Sequence, residues 1–238
     1  MHILITNDDG IFAPGIKKLV KEALKYGRVT VIAPKVEQSA KSHSITVRAP
    51  IEFKKLDDRI EGVDTYYADS TPADCVRIAF FHLKLDFDVV FSGVNAGLNL
   101  GEDITYSGTC AAATEAAMLG KKGVAFSCNF KNVDMIDKDL SVAMKYVIDN
   151  DLLDKYALYN INIPLNAKGI LFSRQGHTHY FSYYSENGSN LTSIGRPEAT
   201  KDDLELSDVD LTYKNYITIT PLNYLRTNEE VLKKFTDN

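Results

Sequence analysis

Residues 1–10 read MHILITNDDG, and the rest of the chain is organised around them. His2-Ile3-Leu4-Ile5-Thr6 is a short apolar run with β-branched members, the composition of a buried strand. It stops at Asn7-Asp8-Asp9-Gly10, which is turn chemistry. Two adjacent carboxylates at the carboxyl end of a strand resist joint ionisation at neutral pH, because like charges at close range repel. A divalent cation removes that repulsion. Carboxylate oxygens are hard ligands, suited to Mg²⁺, Mn²⁺ or Ca²⁺ rather than to a thiolate-seeking metal. In parallel α/β sheets, ligands also bind outside the carboxyl ends of the strands. An Asx turn with Asp9 capping the next helix fits the same four residues. The flanking sequence has to separate the two readings.

Pro14 to Leu24 reads as a helix, with proline in the first turn and Ile16, Leu19, Val20, Ala23 and Leu24 on one apolar face. Gly27 ends it, and Val29 to Pro34 is a second buried strand. Strand, helix and strand in this order make a βαβ unit with a right-handed crossover. The loop Lys35 to Thr46, KVEQSAKSHSIT, therefore opens on the same sheet edge as Asp8 and Asp9. Its Ser39, Ser42, His43, Ser44 and Thr46 are either a solvated surface or a set of hydroxyls and amides aimed at an anion or metal. Ile51–Leu56 and Val63–Ala68 suit a small hairpin or a sheet edge.

Thr71 to Phe81 carries helix start signals: Ser70 or Thr71 as cap, Pro72 in the first turn, and Asp74 at the positive end of the dipole. Asp88 to Ser92 is a third buried strand, ending in GVNAGLNLG at 93–101. The glycines there let backbone approach a ligand, and Asn95 offers a neutral oxygen. Tyr106 to Gly120 is a helix of small residues. Its Ser107, Gly108 and Thr109 are either an N-cap or an anion site. Gly123–Ser127 and Ala157–Ile163 are further buried strands, separated by an amphipathic helix over Asp137–Ile148.

After Gly169 the pattern changes. Ile170–Arg174, Tyr180–Tyr184 and Tyr216–Thr220 alternate aromatic and polar residues, which predicts antiparallel pairs outside the parallel core. Arg174, Gln175, His177 and His179 cluster between the first two. Ser185 to Leu206 is polar and reads as a flexible connection. Thr227 to Phe235 is a final helix with a capping box. Its Val231, Leu232 and Phe235 form an apolar side that is predicted to pack on a neighbouring subunit.

The chain has 238 residues, enough for one sizeable α/β core. A net charge of −5 argues against a polynucleotide partner, because such binders present a basic field. Three cysteines without ligand spacing read as reduced thiols, which places the chain in the cytoplasm. No apolar run is long enough to span a membrane, and the first strand is too short for a signal peptide.

In a doubly wound sheet the clusters at Asn7–Gly10, Gln38–Thr46 and Ser92–Thr109 converge on one rim. Carboxylates, an asparagine oxygen and a serine hydroxyl make a hard-cation site. Amides at a helix start beside it make a phosphate site. Together they imply phosphoryl chemistry. The sequence has no G-x-x-x-x-G-K-[ST], so a P-loop enzyme is unsupported. It has no D-x-D after the first strand, which weakens an aspartyl-phosphate phosphatase.

Over essentially its whole length the sequence resembles the SurE family, stationary-phase survival proteins that are 5′/3′-nucleotidases. The resemblance rests on NDDG at 7–10, S-x-x-x-H-S-I-T at 39–46, TPADCV at 71–76, SGVNAGLNLGEDITYSGT at 92–109, NINIP at 160–164 and ITPL at 219–222. It implies a metal-dependent phosphomonoesterase for nucleoside 5′- and 3′-monophosphates. The fold it implies is a Rossmann-like, mostly parallel sheet flanked by helices. Residues 1–165 would be the catalytic core, and 166–238 an antiparallel β-hairpin extension with a terminal oligomerisation helix packed on it. It implies one Mg²⁺ or Mn²⁺ per subunit, held by Asp8, Asp9, Ser39 and Asn95. Asp8, Asp9 and Asn95 would be catalytic. Ser107 and Thr109 match phosphate-pocket residues, and Asn7, Gly93, Gly108 and His43 are expected beside them at the substrate. The family forms dimers or tetramers that exchange C-terminal segments. Asp208 aligns with a recurrent acid whose role does not follow from the motif. Asn223-Tyr224-Leu225 departs from the acid-containing segment of many relatives. Two other functions fit the same fold: a non-catalytic nucleotide sensor, and a phosphatase for a non-nucleotide such as short polyphosphate.

Overall fold

The structure is a computed structural model that describes residues 1–57, 59–178, 180–197 and 204–236; His179 lies outside them. The first strand, β1 (His2–Thr6), is buried on both faces. Ile3 and Ile5 point into one core, Leu4 into the other, as the two-residue period of a strand requires. β1 lies between β2 (Arg28–Pro34) and β5 (Val89–Ala96), parallel to both. Beyond β2 come β4 (Asp64–Ala68), parallel, and β3 (Phe53–Leu56), antiparallel at the edge. Beyond β5 come β6 (Lys122–Cys128) and β7 (Leu158–Ile163), both parallel.

The helices α1 (Pro14–Ala23) and α5 (Asp137–Asp149) cover one face; two one-turn helices, α3 (Asp103–Tyr106) and α6 (Leu152–Lys155), lie in the connections after β5 and β6. The other face carries α2 (Pro72–Arg77), which continues as one wide turn over Ile78–His82, and α4 (Gly108–Met118). Small residues let α4 sit close on the sheet. A Cβ on Gly123 would stand 2.0 Å from the Ala113 carbonyl oxygen, so β6 needs glycine there. α4 starts two residues later than the sequence suggests. Ser107 has an extended backbone, and its hydroxyl caps the helix by accepting from the Cys110 N–H at 3.1 Å.

The C-terminal third departs from expectation in two ways. First, β8 (Ile170–Phe172) and β11 (Ile217–Pro221) belong to the main sheet. β11 runs antiparallel to β7, and β8 runs parallel to β11. Second, of the stretch Ser185 to Leu206, residues 185–197 are not a plain connection, and 198–203 lie outside the described residues. β9 (Tyr180–Asn187) and β10 (Asn190–Pro197) form a separate antiparallel hairpin about the two-residue turn Gly188-Ser189. A short helix, α7 (Asp208–Tyr213), returns the chain to β11. The last helix, α8 (Glu229–Thr236), is capped by Asn228 and leaves Val231, Leu232 and Phe235 exposed. Among the described residues no helix is long and apolar enough to cross a membrane.

Candidate active site

The strand order places a topological switch between β1 and β5, since the chain winds outward from there in both directions. Crevices at such points are where open α/β sheets bind ligands. The loop after β1 and the end of β5 meet in a cleft of about 320 Å³. Asp8, Asp9, Ser39 and Asn95 all line it. So do Glu37, Asn99, Asp103, Tyr106, Ser107 and Phe130.

Asp8 is 5% exposed. Burial pushes its carboxyl up to about 6; the Thr109 hydroxyl and N–H oppose that, and the Asp9 charge adds to it. Thr109 Oγ1 donates to Asp8 Oδ1. A Cβ on Gly108 would lie 2.9 Å from the Asp8 Cβ and 3.1 Å from Oδ2, so a side chain there would press on the carboxylate. The anion at the start of α4 is therefore Asp8 itself, held by the positive end of the helix. Asp9 is also raised, by burial first and by Glu37, against the Ala96 N–H that donates to its Oδ2 at 3.0 Å. Asp9 does not cap α1. The residue at that cap is Ala13, with no side-chain bond, so the Asx-turn alternative is set aside.

Asn95 Nδ2 donates to the Gly97 carbonyl at 2.7 Å, which leaves its Oδ1 as the oxygen available to the cleft. Ser39 is exposed, and its hydroxyl donates to Glu37 Oε1 at 2.5 Å. The donor set is hard: two carboxylates completed by an amide oxygen and a hydroxyl, with no sulfur or imidazole. Such a set fits Mg²⁺ or Mn²⁺. Among the described residues no group of three or more His, Cys, Asp and Glu could hold a metal, so a cation here would need the neutral oxygens as well. Two carboxylates with raised affinity for protons in one cleft are the residues a cation would stabilise.

Four expected substrate residues sit elsewhere than the motif suggests. Thr109 is fully buried and spends its hydroxyl on Asp8, so it does not face the cleft. Asn7 braces the turn by donating from Nδ2 to the Gly10 carbonyl at 2.9 Å, and does not line the cleft. Gly93 is packed into the sheet, where a Cβ would stand 2.2 Å from the Phe126 carbonyl oxygen. His43 lines a second, larger groove and bonds from Nε2 to Glu115 Oε2 at 2.7 Å. Ser107 lines both the cleft and that groove.

The loop from 35 to 46 is largely exposed, yet it is tied down by hydrogen bonds. The Ser42 N–H donates to the Tyr106 carbonyl at 2.9 Å and its hydroxyl to the Thr105 carbonyl at 2.7 Å. The Thr46 N–H donates to Asp74 Oδ2 at 2.8 Å. Sequence reasoning missed Asn99, Asp103, Tyr106 and Phe130. Their signal was position, after the carboxyl ends of β5 and β6. The NINIP motif explains the wall that holds Asn99. Asn160 and Asn162 both donate from Nδ2 to the Asn99 carbonyl, at 2.8 and 2.9 Å. Asn162 Oδ1 accepts the Asn99 N–H at 2.9 Å.

Known proteins resemble the chain along its length. Residues 3–182 match the family described as Survival protein SurE. The "5′-nucleotidase SurE" of Clostridium beijerinckii is 39% identical over 99% of this chain and 98% of its own length. The protein of that name from Campylobacter jejuni subsp. doylei is 40% identical, over 98% of this chain and 95% of its own. The crystal structure of the SurE protein from Aquifex aeolicus superposes with a TM-score of 0.80 at 32% identity, covering 100% of both chains. Matched end to end in sequence and in fold, the chain belongs to the SurE family.

Proposed function

We propose that the chain is a 5′-nucleotidase: a divalent-cation-dependent phosphomonoesterase that releases phosphate from nucleoside 5′-monophosphates, and from 3′-monophosphates as well. The observation that carries this reading is the meeting of Asp8, Asp9, Ser39 and Asn95 in one cleft at the β1/β5 switch. The relatives named as 5′-nucleotidases add the substrate class. One Mg²⁺ or Mn²⁺ per subunit would be held by those four residues. When bound, such an ion supplies Lewis acidity toward the phosphoryl group and a lowered water pKa.

The chain's own groups divide the remaining work. Asp8 and Asp9 carry the charge that holds the cation, and Asn95 and Ser39 complete the shell with neutral oxygens. Thr109 and the start of α4 orient Asp8. Ser107 stands at the junction of cleft and groove, where a phosphoryl oxygen and the rest of a nucleotide part company. We also propose that the chain self-associates as a dimer or tetramer through its C-terminal segment, supported by the exposed apolar side of α8.

The test is phosphate release from 5′-AMP, 3′-AMP and tripolyphosphate with Mg²⁺, with Mn²⁺ and with EDTA. Metal-dependent release from the nucleotides is expected. Nucleotide binding by calorimetry without turnover would instead identify a sensor. Turnover of tripolyphosphate alone would identify a phosphatase for non-nucleotides.

A further inference from the structure

The groove beyond Ser107 begins as a helix face. Ser107, Ala111, Thr114, Glu115 and Met118 recur at helical spacing and all line one cavity of about 850 Å³. That size falls within the range of small-molecule sites, roughly 300–1,000 Å³. At about 1.5 Å of rise per residue, Glu115 lies roughly 12 Å along α4 from Ser107. This is comparable to the reach of a nucleotide from its phosphate to the far edge of its base.

The floor of the groove at that distance is polar and fixed. The Glu115 side chain is only 4% exposed. Its Oε1 accepts from Arg77 Nη1 at 2.9 Å, and its Oε2 meets His43 Nε2 at 2.7 Å. Burial pushes the Glu115 carboxyl up, but these two donors outweigh it and hold the group below its ordinary value. The carboxylate is thus paired at both oxygens. Arg77 Cζ lies over the Phe81 ring, 5.2 Å from its centroid. A guanidinium has five donors, and among the described residues only Nη1 of this one has a hydrogen-bond partner. Ile45, Ile104, Leu158 and Leu222 supply apolar wall. A few convergent polar groups within apolar walls is the general form of a small-ligand site.

We propose that this groove is the nucleoside subsite. The phosphate lies in the cleft, the sugar passes Ser107, and the base rests against the Arg77–Glu115–His43 set, which decides base selectivity. The proposal rests on the phosphomonoesterase reading above. Guanidinium groups donate and do not accept, so bases with an acceptor edge, such as the O6 and N7 of guanine, are favoured.

Two variants test it, Arg77→Met in the polar set and Thr114→Tyr to fill the groove. The readouts are kcat/KM for GMP relative to p-nitrophenyl phosphate, which shares the phosphoryl group but lacks a nucleoside, and GMP binding by calorimetry. Both variants are expected to lower the GMP to p-nitrophenyl phosphate ratio at least tenfold, mainly through KM for GMP, and to weaken GMP binding by a similar factor. A ratio and an affinity within twofold of wild type in both variants would overturn the subsite. If wild type releases phosphate from neither compound with any metal, the phosphomonoesterase reading fails separately. The calorimetric comparison then still decides whether the groove takes the nucleoside.

Discussion

Asp8 and Asp208 are both buried, one at 5% exposure and one at 0%, yet their surroundings differ in kind. Asp208 opens α7 and receives backbone donors from two distant segments. Its Oδ1 accepts the Gly176 N–H at 2.8 Å, and its Oδ2 accepts the Gly101 N–H at 3.2 Å. It ties the connection after β8 to the loop after β5. Gln175 reinforces the tie by donating to the Gly101 carbonyl at 2.8 Å. Glu102 does the same by accepting from Thr178 N–H and His177, donors that outweigh burial and hold its carboxyl down at about 2. Asp8 has the helix start behind it, the charge of Asp9 beside it and an open cleft in front. A buried acid that the backbone clasps is a structural clip. A buried acid held away from its ordinary pKa and facing a cleft is a functional-site candidate.

The largest effect expected from that contrast is on Asp8. Asp8→Asn should lower metal-dependent turnover by roughly 10³-fold, the upper range for losing one preorganised electrostatic group. Calorimetry should show Mn²⁺ binding lost. The fold should survive, because the amide oxygen still accepts from Thr109 and the repulsion with Asp9 is gone. Wild-type turnover in this variant would remove Asp8 from the metal site.

The next effect is on stability against pH. An acid whose folded pKa is raised binds more protons when folded, so stability is lost as pH rises through the window between unfolded and folded values. For Asp8 that window runs from 3.8 to about 6. The metal-free protein should lose about 3 kcal/mol from this group across it. Urea denaturation in EDTA at pH 4 and at pH 7, run on wild type and on Asp8→Asn, would isolate the loss as the difference between the two proteins, since Asp9 is raised as well and remains in both. Added Mn²⁺ should restore stability at pH 7 but little at pH 4. An equal loss in Asp8→Asn would place the strain elsewhere.

Asp208 should matter to stability and little to turnover. Asp208→Ala strands two buried N–H groups and should destabilise by about 2–4 kcal/mol at neutral pH. Asp208→Asn keeps one acceptor oxygen and should recover about half of that. Turnover per folded molecule should change less than tenfold in either. A loss of turnover comparable with Asp8→Asn, at unchanged stability, would make Asp208 a functional acid and erase the contrast.

The same contrast separates what the sequence discloses from what it hides. Ile3, Leu4 and Ile5 bury on both faces, so β1 was readable from composition and the Asp pair from its place at the strand end. Tyr180–Tyr184 reads as a strand, but from Ser185 onward the hairpin β9–β10 reads as a connection because much of it is exposed, with Tyr184 and Leu191 at 66% and 61%, so no burial pattern marks it. Its signal was local: Gly188-Ser189, with Gly188 at φ +63°, is a two-residue hairpin turn. The partners of the site residues were not legible at all. His43 meets Glu115 across 72 residues and Thr109 meets Asp8 across 101. Such contacts are set by how α4 lies on the sheet, and motif spacing carries no record of that.

Thr109 gives the smallest effect and the sharpest discrimination. If its hydroxyl faced substrate, Thr109→Val would leave Mn²⁺ affinity unchanged and weaken inhibition by phosphate or vanadate. The structure puts the hydroxyl on Asp8 instead. That bond favours the ionised carboxylate and opposes the effect of burial. Removing it should push the Asp8 pKa further up, so a cation must compete with a more tightly held proton. Supporting residues behind a ligand typically alter metal affinity by roughly 10- to 100-fold. Thr109→Val should therefore weaken Mn²⁺ binding by about tenfold at pH 6. The deficit should shrink toward pH 8, where the carboxyl is ionised in both proteins. Turnover should follow the metal occupancy and approach wild type at saturating Mn²⁺. A deficit that stays constant from pH 6 to pH 8 would mean the hydroxyl sets geometry rather than charge. Unchanged Mn²⁺ affinity with weaker vanadate inhibition would return Thr109 to the phosphate.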